Sequence, residues 1–137
     1  MVTTHHDFDT KRFMAPSPQT EQGYGRFLGS QLGNEDVSIM VAELDGVVVG
    51  YVFSSLEDAD YMALRGPAGA IQDIIVDPAH RGQGIGAKLL DAAIEFLKSR
   101  GAPRVVLSTA FQNATAQRLF EKAGFRRTMV EMTRELT

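Results

Sequence analysis

The fold is decided by the stretch Gln72-Asp-Ile-Ile-Val-Asp-Pro-Ala-His-Arg-Gly-Gln-Gly-Ile-Gly-Ala-Lys-Leu-Leu90. Its β-branched run Ile74–Val76 predicts a strand, which Asp77-Pro78 ends as a turn. Three glycines then alternate with other residues and allow a ligand to lie close to the main chain, at Gly82, Gly84 and Gly86. From Ile85 apolar residues recur with the period of a helix. The free N–H groups that begin such a helix suit a phosphate.

Two other phosphate-binding motifs are partly matched by this turn. A nucleotide P-loop opens its helix with Gly-Lys-Ser/Thr, whereas Lys88 is followed by leucine, so no hydroxyl is placed for Mg²⁺. The dinucleotide fingerprint Gly-x-Gly-x-x-Gly/Ala is matched by Gly82, Gly84 and Ala87. Its next strand should end near an acidic residue that binds the ribose, but residues 104–109 end in serine and threonine. A dinucleotide-binding domain therefore stays open only as a further alternative.

The pattern Arg81-x-x-Gly84-x-Gly86, after a strand that ends in Val-Asp-Pro, resembles the pyrophosphate-binding motif of the GCN5-related N-acetyltransferases (GNAT). The stretch Asn113–Phe125 is similar to the second motif of the family, an Asn-initiated helix that runs into aromatic-Glu-Lys-x-Gly-Phe. The two motifs occur in the expected order. The resemblance implies one GNAT-like domain over residues 1–137, with acetyl-CoA as the co-substrate.

The resemblance also implies where the cofactor lies. In the family the pantetheine arm occupies a gap between diverging parallel strands, bonded to the main chain of the cofactor strand, and the pyrophosphate meets the N–H groups of the turn. Arg81 would add a positive charge or is an ordinary exposed turn arginine. Asn113 would contact the cofactor or only cap its helix. The implied cofactor-binding residues are Ile74, Ile75, Val76, Arg81, Gly82, Gln83, Gly84, Ile85, Gly86, Ala87, Asn113 and Phe120.

The catalytic groups are where the sequence departs from the family. The implied reaction is direct attack of an amine on the thioester, without a covalent enzyme intermediate. Many members carry a tyrosine acid where Phe120 stands, and some branches carry a glutamate base where Gln72 stands. Asp73 is the nearest remaining carboxylate, and it acts through water or is a structural acceptor. The candidate catalytic residues are therefore Asp73, as the nearest carboxylate, and Gln72, which stands at the position of the base in those branches.

Composition bounds the partners of the chain. It has 137 residues, a net charge of −3 and no cysteine, which indicates one domain that does not bind nucleic acid and forms neither disulfides nor thiolate metal sites. No apolar stretch approaches the ~18 residues of a membrane span. We expect a cytoplasmic, metal-free protein whose partner is a small-molecule or peptide amine. The alternative is an acyl-CoA-binding module of the same fold with weak or no catalysis.

The remaining elements predict an α/β (α+β) fold, with a mixed, mostly antiparallel central sheet and helices on both faces. A helix is predicted over residues 19–32, and a hairpin over Val37–Leu44 and Val47–Ser54, joined by Asp45-Gly46. The strand over residues 104–109 should run parallel to the central strand. A helix begins at Asn113, and residues 125–136 are predicted to form a last strand.

The front of the chain predicts an open sheet edge. Family members open with a strand and two helical segments, whereas 36 residues precede Val37, and residues 1–18 have an irregular pattern. The first strand is therefore expected to be missing. Exposed strand edges tend to be covered or paired, so we expect a homodimer, or capping of Val37–Leu44 by residues 1–15.

The loop that follows the predicted hairpin, over residues 55–70, carries three carboxylates. Glu57, Asp58 and Asp60 either attract a cationic amine or form an ordinary solvated acidic run.

Overall fold

The structure is a computed structural model that describes residues 2–137, and these form four α-helices, a short 3-10 helix (Pro78–His80) and four strands. The helices are α1 (Val2–Phe8), α2 (Pro18–Gln31), α3 (Ile85–Ser99) and α4 (Ala114–Lys122). The strands are β1 (Val37–Leu44), β2 (Val47–Glu57), β3 (Ala68–Val76) and β4 (Val105–Leu107). The chain divides into two compact units: a sheet unit of residues 30–108, and a terminal unit made of the residues up to 29 and of residues 109–137.

The sheet unit has the strand order β1-β2-β3-β4. β2 is antiparallel to β1 and to β3, and β4 is parallel to β3. This confirms the predicted mixed, mostly antiparallel sheet. A doubly wound dinucleotide-binding domain has a parallel sheet instead. The dinucleotide alternative is therefore wrong.

The hairpin between β1 and β2 has the predicted turn and the predicted bounds of β1, whereas β2 continues to Glu57, three residues beyond its predicted end at Ser54. Both turn residues have positive φ, 51° at Asp45 and 79° at Gly46, as a type I′ turn requires. Among the described residues β1 pairs with β2 alone, and no strand precedes it from residue 2 onward. β1 is therefore an edge strand of the sheet.

Helix α3 packs on the sheet at two glycines that allow close approach. A Cβ added to Gly69 would lie 2.8 Å from both methyl carbons of Leu97, which is fully buried. A Cβ added to Gly50 would lie 2.7 Å from the main-chain oxygen of Ile75 and 3.2 Å from a methyl of Leu89. These contacts fix α3, and with it the turn that joins β3 to α3.

The two parallel strands pair over a short stretch only. β3 pairs with β4 at the successive positions Gly69, Ala70 and Ile71. β3 then continues to Val76, and no described residue pairs with that side of its main chain. Beyond Ile71 the sheet therefore has an internal open edge.

The terminal unit differs from the sequence prediction at both ends. Residues 2–8 are helical, although an irregular segment was predicted. The helix is followed by a turn in which the Asp9 carboxylate accepts the N–H groups of Lys11 and Arg12, each at 3.0 Å. The His5 ring packs edge-on against Phe13, with 5.1 Å between the ring centroids. Such contacts between residues so close in sequence stabilise a short helix that lacks a clear apolar period.

The predicted last strand over residues 125–136 is wrong. Residues 125–137 form neither helix nor strand, and most of the apolar side chains there are exposed. An alternating pattern predicts only which face of a strand is apolar, whereas a strand also needs a neighbouring strand for its main-chain groups. Helix α4 does begin as predicted, because the Asn113 side chain accepts the Ala116 N–H at 3.1 Å.

Candidate active site

The glycine turn presents main-chain N–H groups at the start of α3. Gly82 and Gly84 have φ of 81° and 78°, a conformation that costs other residues about 1–2 kcal/mol. Gly84 is the N-cap of α3, and no side chain caps the helix. The N–H groups of Ile85, Gly86 and Ala87 therefore have no acceptor within the helix. Together with the positive end of the helix dipole, they can bind an anion.

Space and charge at the turn fit the same ligand class. A Cβ added to Gly82 or Gly84 would meet no atom within 4 Å, so the turn is open above both residues. The Arg81 guanidinium donates from Nε to the main-chain oxygen of Val76 at 3.2 Å. Among the described residues, no group accepts a hydrogen bond from the terminal nitrogens of Arg81. Gly86 differs from the sequence expectation, because it lies within α3 and its φ is not positive.

The open edge of β3 leads directly into this turn. Ile74, Ile75 and Val76 are half-buried and form the end of β3, beyond the part that pairs with β4. Their main-chain groups on that side can bond an extended chain as a neighbouring strand would. The structure thus brings ten predicted cofactor residues, from Ile74 to Ala87, into one continuous surface.

A β-bulge interrupts β3 at Gln72. Phe53 of β2 pairs with Asp73, and the next residue of β2, Ser54, pairs with Ile71, so Gln72 has no partner on β2. Bulges bend a strand and redirect its side chains, and they occur often beside active sites. Gln72 is also the first residue of β3 beyond the stretch that pairs with β4.

The Gln72 side chain holds a carboxylate of the neighbouring strand. Its Nε2 donates to Oε1 of Glu57 at 2.8 Å and to the hydroxyl of Ser55 at 3.0 Å. The Ser55 hydroxyl donates to the same Oε1 at 2.7 Å. The strand predicted from the sequence ends at Ser54, which leaves both Ser55 and Glu57 in the acidic loop. Their alternation with Tyr51 along β2 could have indicated that all three share one face of the sheet.

Asp73 lies in a different environment from its neighbour Gln72. Its side chain accepts the hydroxyl proton of Tyr51, and the residue is 9% exposed. A buried carboxylate is tolerated only when hydrogen bonds replace its water. This geometry favours the structural acceptor of the two roles that the sequence left open for Asp73.

Asn113 and Phe120 belong to the terminal unit. Asn113 caps α4 through its side-chain oxygen, and Phe120 is buried, with its ring edge-on to that of Phe125 at 6.0 Å between centroids. Phe120 has no hydroxyl, so it donates no proton. The predicted cofactor contacts of both residues stay predictions.

Residues 2–137 contain no group of three or more His, Asp or Glu side chains arranged to hold a metal ion. In the same residues no helix has the length and apolar character needed to cross a membrane.

Comparison with known proteins identifies the family. Residues 4–125 match the family described as Acetyltransferase (GNAT) family. A mycothiol acetyltransferase of Thermobispora bispora is 35% identical over 102 residues, which are 72% of this chain and 33% of the relative. An uncharacterized N-acetyltransferase of Archaeoglobus fulgidus is 34% identical over 98 residues, 70% of this chain and 65% of the relative. The chain thus spans from a third to about two thirds of these curated relatives.

Solved structures agree on the fold. A tetramutant of a Bacillus halodurans protein has a TM-score of 0.80 at 21% identity, over 97% of this chain and 85% of that one. An aminoglycoside N-acetyltransferase in complex with CoA has a TM-score of 0.65 at 21% identity, over 88% of this chain and 97% of that one. At such identities the likeness concerns the fold alone. With the family match over residues 4–125, it confirms the resemblance, and the chain belongs to the GNAT acetyltransferase family.

Proposed function

We propose that this chain is an acetyl-CoA-dependent N-acetyltransferase that acts on the primary amine of a small molecule or peptide. The observation that carries the proposal is the separation of β3 from β4 after Ile71. It leaves a main-chain edge from Gln72 to Val76 that runs into a glycine turn and an uncapped helix start. An elongated ligand with amide groups along an arm and a pyrophosphate at its end fits this surface.

The residues of this surface have distinct roles in binding. The main chain of residues 74–76 offers donors and acceptors to the amides of the pantetheine arm. Gly82 and Gly84 leave room above the turn, so that the N–H groups of residues 85–87 reach the pyrophosphate. Arg81 adds a cation at the end of β3. When bound, the coenzyme supplies an acetyl thioester that an amine can attack.

The relatives support an amine as the acceptor. One curated relative is named as an N-acetyltransferase, another as an acetyltransferase of mycothiol, and a structural neighbour as an aminoglycoside N-acetyltransferase. The two names that specify an acceptor, mycothiol and aminoglycoside, refer to small molecules. We extend that class, but none of the named acceptors, to this chain.

The acceptor must lose a proton before it attacks. An amine with an ordinary pKa near 10.4 is protonated at pH 7, and making it neutral costs about 4–5 kcal/mol. A base beside the acceptor lowers this cost, and general acid–base groups typically contribute about 10²–10⁴ in rate. Phe120 supplies no acid for the thiolate that leaves, so water or the substrate must supply that proton.

The proposal is tested by two measurements on the same preparation. Calorimetry with acetyl-CoA measures binding, and a CoA-release assay with spermidine, kanamycin, L-lysine and an alanine-initiated peptide measures transfer. Binding with amine-dependent CoA release is the expected result. Binding without release to any amine would favour the acyl-CoA-binding module. Neither binding nor release would overturn the proposal.

A further inference from the structure

We propose that Glu57 binds the ammonium group of the acceptor and removes its proton, and that Gln72 and Ser55 hold the Glu57 carboxylate in position. This inference rests on the proposed acetyltransferase function. It assigns the base to β2, whereas the sequence assigned catalysis to the β3 residues Gln72 and Asp73.

The hydrogen bonds of Glu57 leave one carboxylate oxygen open. Oε1 accepts two hydrogen bonds, from Nε2 of Gln72 at 2.8 Å and from the Ser55 hydroxyl at 2.7 Å. The described residues give Oε2 no hydrogen-bond partner. The two hydrogen bonds to Oε1 fix the orientation of the carboxylate. Because Glu57 is only half-buried, solvent and ligand can still reach it. A carboxylate fixed through one oxygen presents the other as an acceptor for an ammonium.

The position of this cluster relates it to the cofactor surface. The bulge places Gln72 at the start of the open edge of β3, four residues before Val76. Four strand residues span about 13 Å. The turn that suits the pyrophosphate lies beyond Val76, at the opposite end of that edge. The main chain of Glu57 pairs with Ala68 on the other side of β3, and its carboxylate is bonded to Gln72. That carboxylate therefore lies beside the end of the open edge that is remote from the turn, where the acyl end of an elongated ligand would have to meet the acceptor.

The surroundings of Glu57 favour a cationic ligand. Glu57 and Asp58 line a cleft of about 310 Å³ that extends to the C-terminal end of α3. Two further charged groups line it, and they are paired with each other, because Arg100 Nη2 lies 3.4 Å from Oδ1 of Asp36. Arg100 also donates to the main-chain oxygen of Glu35 at 2.6 Å. The cleft thus keeps two uncompensated carboxylates, and the helix end adds a partial negative charge.

Asp73 is a poorer base than Glu57 on the same geometry. The residue is 9% exposed, and its carboxylate already accepts a hydrogen bond from the Tyr51 hydroxyl. A glutamate at position 72 would place a second negative charge within hydrogen-bonding distance of Glu57, and two such carboxylates do not both ionise readily. Gln72 donates to the base instead of competing with it.

The proton transfer is balanced within these groups. One N–H bond of the ammonium breaks and its proton moves to Oε2 of Glu57, which leaves the lone pair on the nitrogen for attack on the thioester carbonyl. The carboxylic acid that forms returns its proton to water. The charged groups that line the same cleft as Glu57 are Asp58, Asp36 and Arg100.

The test uses the best amine of the panel and compares three variants with the parent. Glu57→Gln keeps the size of the side chain and its hydrogen bonds with Gln72 and Ser55. The double variant Glu57→Gln with Gln72→Glu exchanges the two groups across the same hydrogen bond. Glu43→Gln is the control, because Glu43 is an exposed carboxylate on β1. Acetyl-CoA affinity and thermal unfolding are measured for each.

We expect Glu57→Gln to lower kcat about 100-fold at pH 7, with acetyl-CoA affinity unchanged, as for the loss of a general base. The remaining rate should rise about tenfold per pH unit, because it follows the neutral fraction of the amine. The exchanged pair should regain at least tenfold of the loss, and Glu43→Gln should match the parent.

Two outcomes would overturn the assignment of Glu57. One is a Glu57→Gln enzyme with the kcat, KM and pH profile of the parent. The other is an exchanged pair as slow as Glu57→Gln although it is folded and binds acetyl-CoA. A parent that binds acetyl-CoA but releases no CoA fails on the proposed function itself, which is a separate result.

Discussion

The Tyr51 hydroxyl donates a hydrogen bond to the buried carboxylate of Asp73, across the antiparallel strands β2 and β3. Removing the hydroxyl leaves that carboxylate with one donor fewer inside the protein. A hydrogen bond to a charged group typically contributes about 1.5–3 kcal/mol. We expect Tyr51→Phe to lower the free energy of unfolding by that amount in urea denaturation. Tyr61→Phe is the control and should change it little, because Tyr61 is 86% exposed.

Replacement of Asp73 by asparagine distinguishes the two roles that the sequence leaves open for this residue. If Asp73 is a structural acceptor, Asp73→Asn lowers stability and changes the acetylation rate equally at all pH values. If it assists deprotonation through water, the rate of this variant falls most at neutral pH and recovers at high pH. We expect the first result, and a pH–rate profile decides between them.

Gly84 and Gly101 offer a matched pair for the anion site. Both have positive φ, 78° and 84°, and a Cβ added to either meets no atom within 4 Å. Replacement by alanine therefore strains both backbones alike, by about 1–2 kcal/mol. Only Gly84 lies at the start of α3, whereas Gly101 follows its end. We expect Gly84→Ala to weaken acetyl-CoA binding at least tenfold and Gly101→Ala to leave it unchanged, as measured by calorimetry.

An equal loss of affinity in both variants would show that the effect comes from strain and not from the site. Unchanged affinity in both would show that the open N–H groups of the turn do not bind the pyrophosphate.

Gly50 should be the glycine of the sheet unit that is least tolerant of a side chain. A Cβ there would lie 2.7 Å from the main-chain oxygen of Ile75, which cannot move without moving β3. Overpacking of this kind costs about 1–3 kcal/mol. We expect Gly50→Ala to lower the midpoint of thermal unfolding. Gly66→Ala should leave it unchanged, because a Cβ at Gly66 meets nothing within 4 Å. Equal midpoints for the two variants would contradict the described packing of β2 against β3.

The sequence predicts the parts of this fold whose signals are local. The Asp45-Gly46 turn, the cap at Asn113 and the glycine turn each involve residues within a few positions of one another, and each is found where it was predicted. The strand over residues 125–136 is not found, because a strand depends on a partner elsewhere in the chain. Local pattern therefore predicts a helix start or a hairpin better than it predicts an edge of the sheet.

The same distinction applies to the candidate site. The turn residues are contiguous in sequence, so their motif identifies them together. The cluster of Glu57, Ser55 and Gln72 joins two strands at a bulge, and the bulge changes the register by one residue. No sequence spacing predicts which side chains face each other across such a shift. A polar residue in a predicted strand is a candidate site residue, but its hydrogen-bond partner on the next strand is known only from the register of the two strands.

The edge strand β1 should mediate self-association. It lies at the end of the sheet, and Val41 at its centre is 53% exposed. A charge on an edge strand opposes pairing with another edge. We expect a sedimentation mass of two chains for the parent and of one chain for Val41→Lys, with faster amide exchange along residues 37–44 in the variant. A parent mass of one chain would contradict this expectation, and so would a Val41→Lys dimer.

The last prediction concerns acid sensitivity in the terminal unit. Arg12 donates from Nε and Nη2 to the two carboxylate oxygens of Glu131, which joins the segment after α1 to the tail. Hydrogen bonding to Arg12 lowers the pKa of Glu131 below its ordinary value. A carboxylate whose pKa is lower in the folded state stabilises that state above the unfolded pKa, and the contribution disappears as the pH falls through the folded value.

Arg12→Gln should therefore raise the pKa of Glu131 in an NMR titration. The midpoint of thermal unfolding should also fall further in the parent than in Arg12→Gln as the pH falls below about 4.3, the ordinary pKa of glutamate. Because both side chains are largely exposed, 1 M NaCl should weaken the shift. A Glu131 titration that is the same in the parent and in Arg12→Gln would show that the tail is not held by this pair.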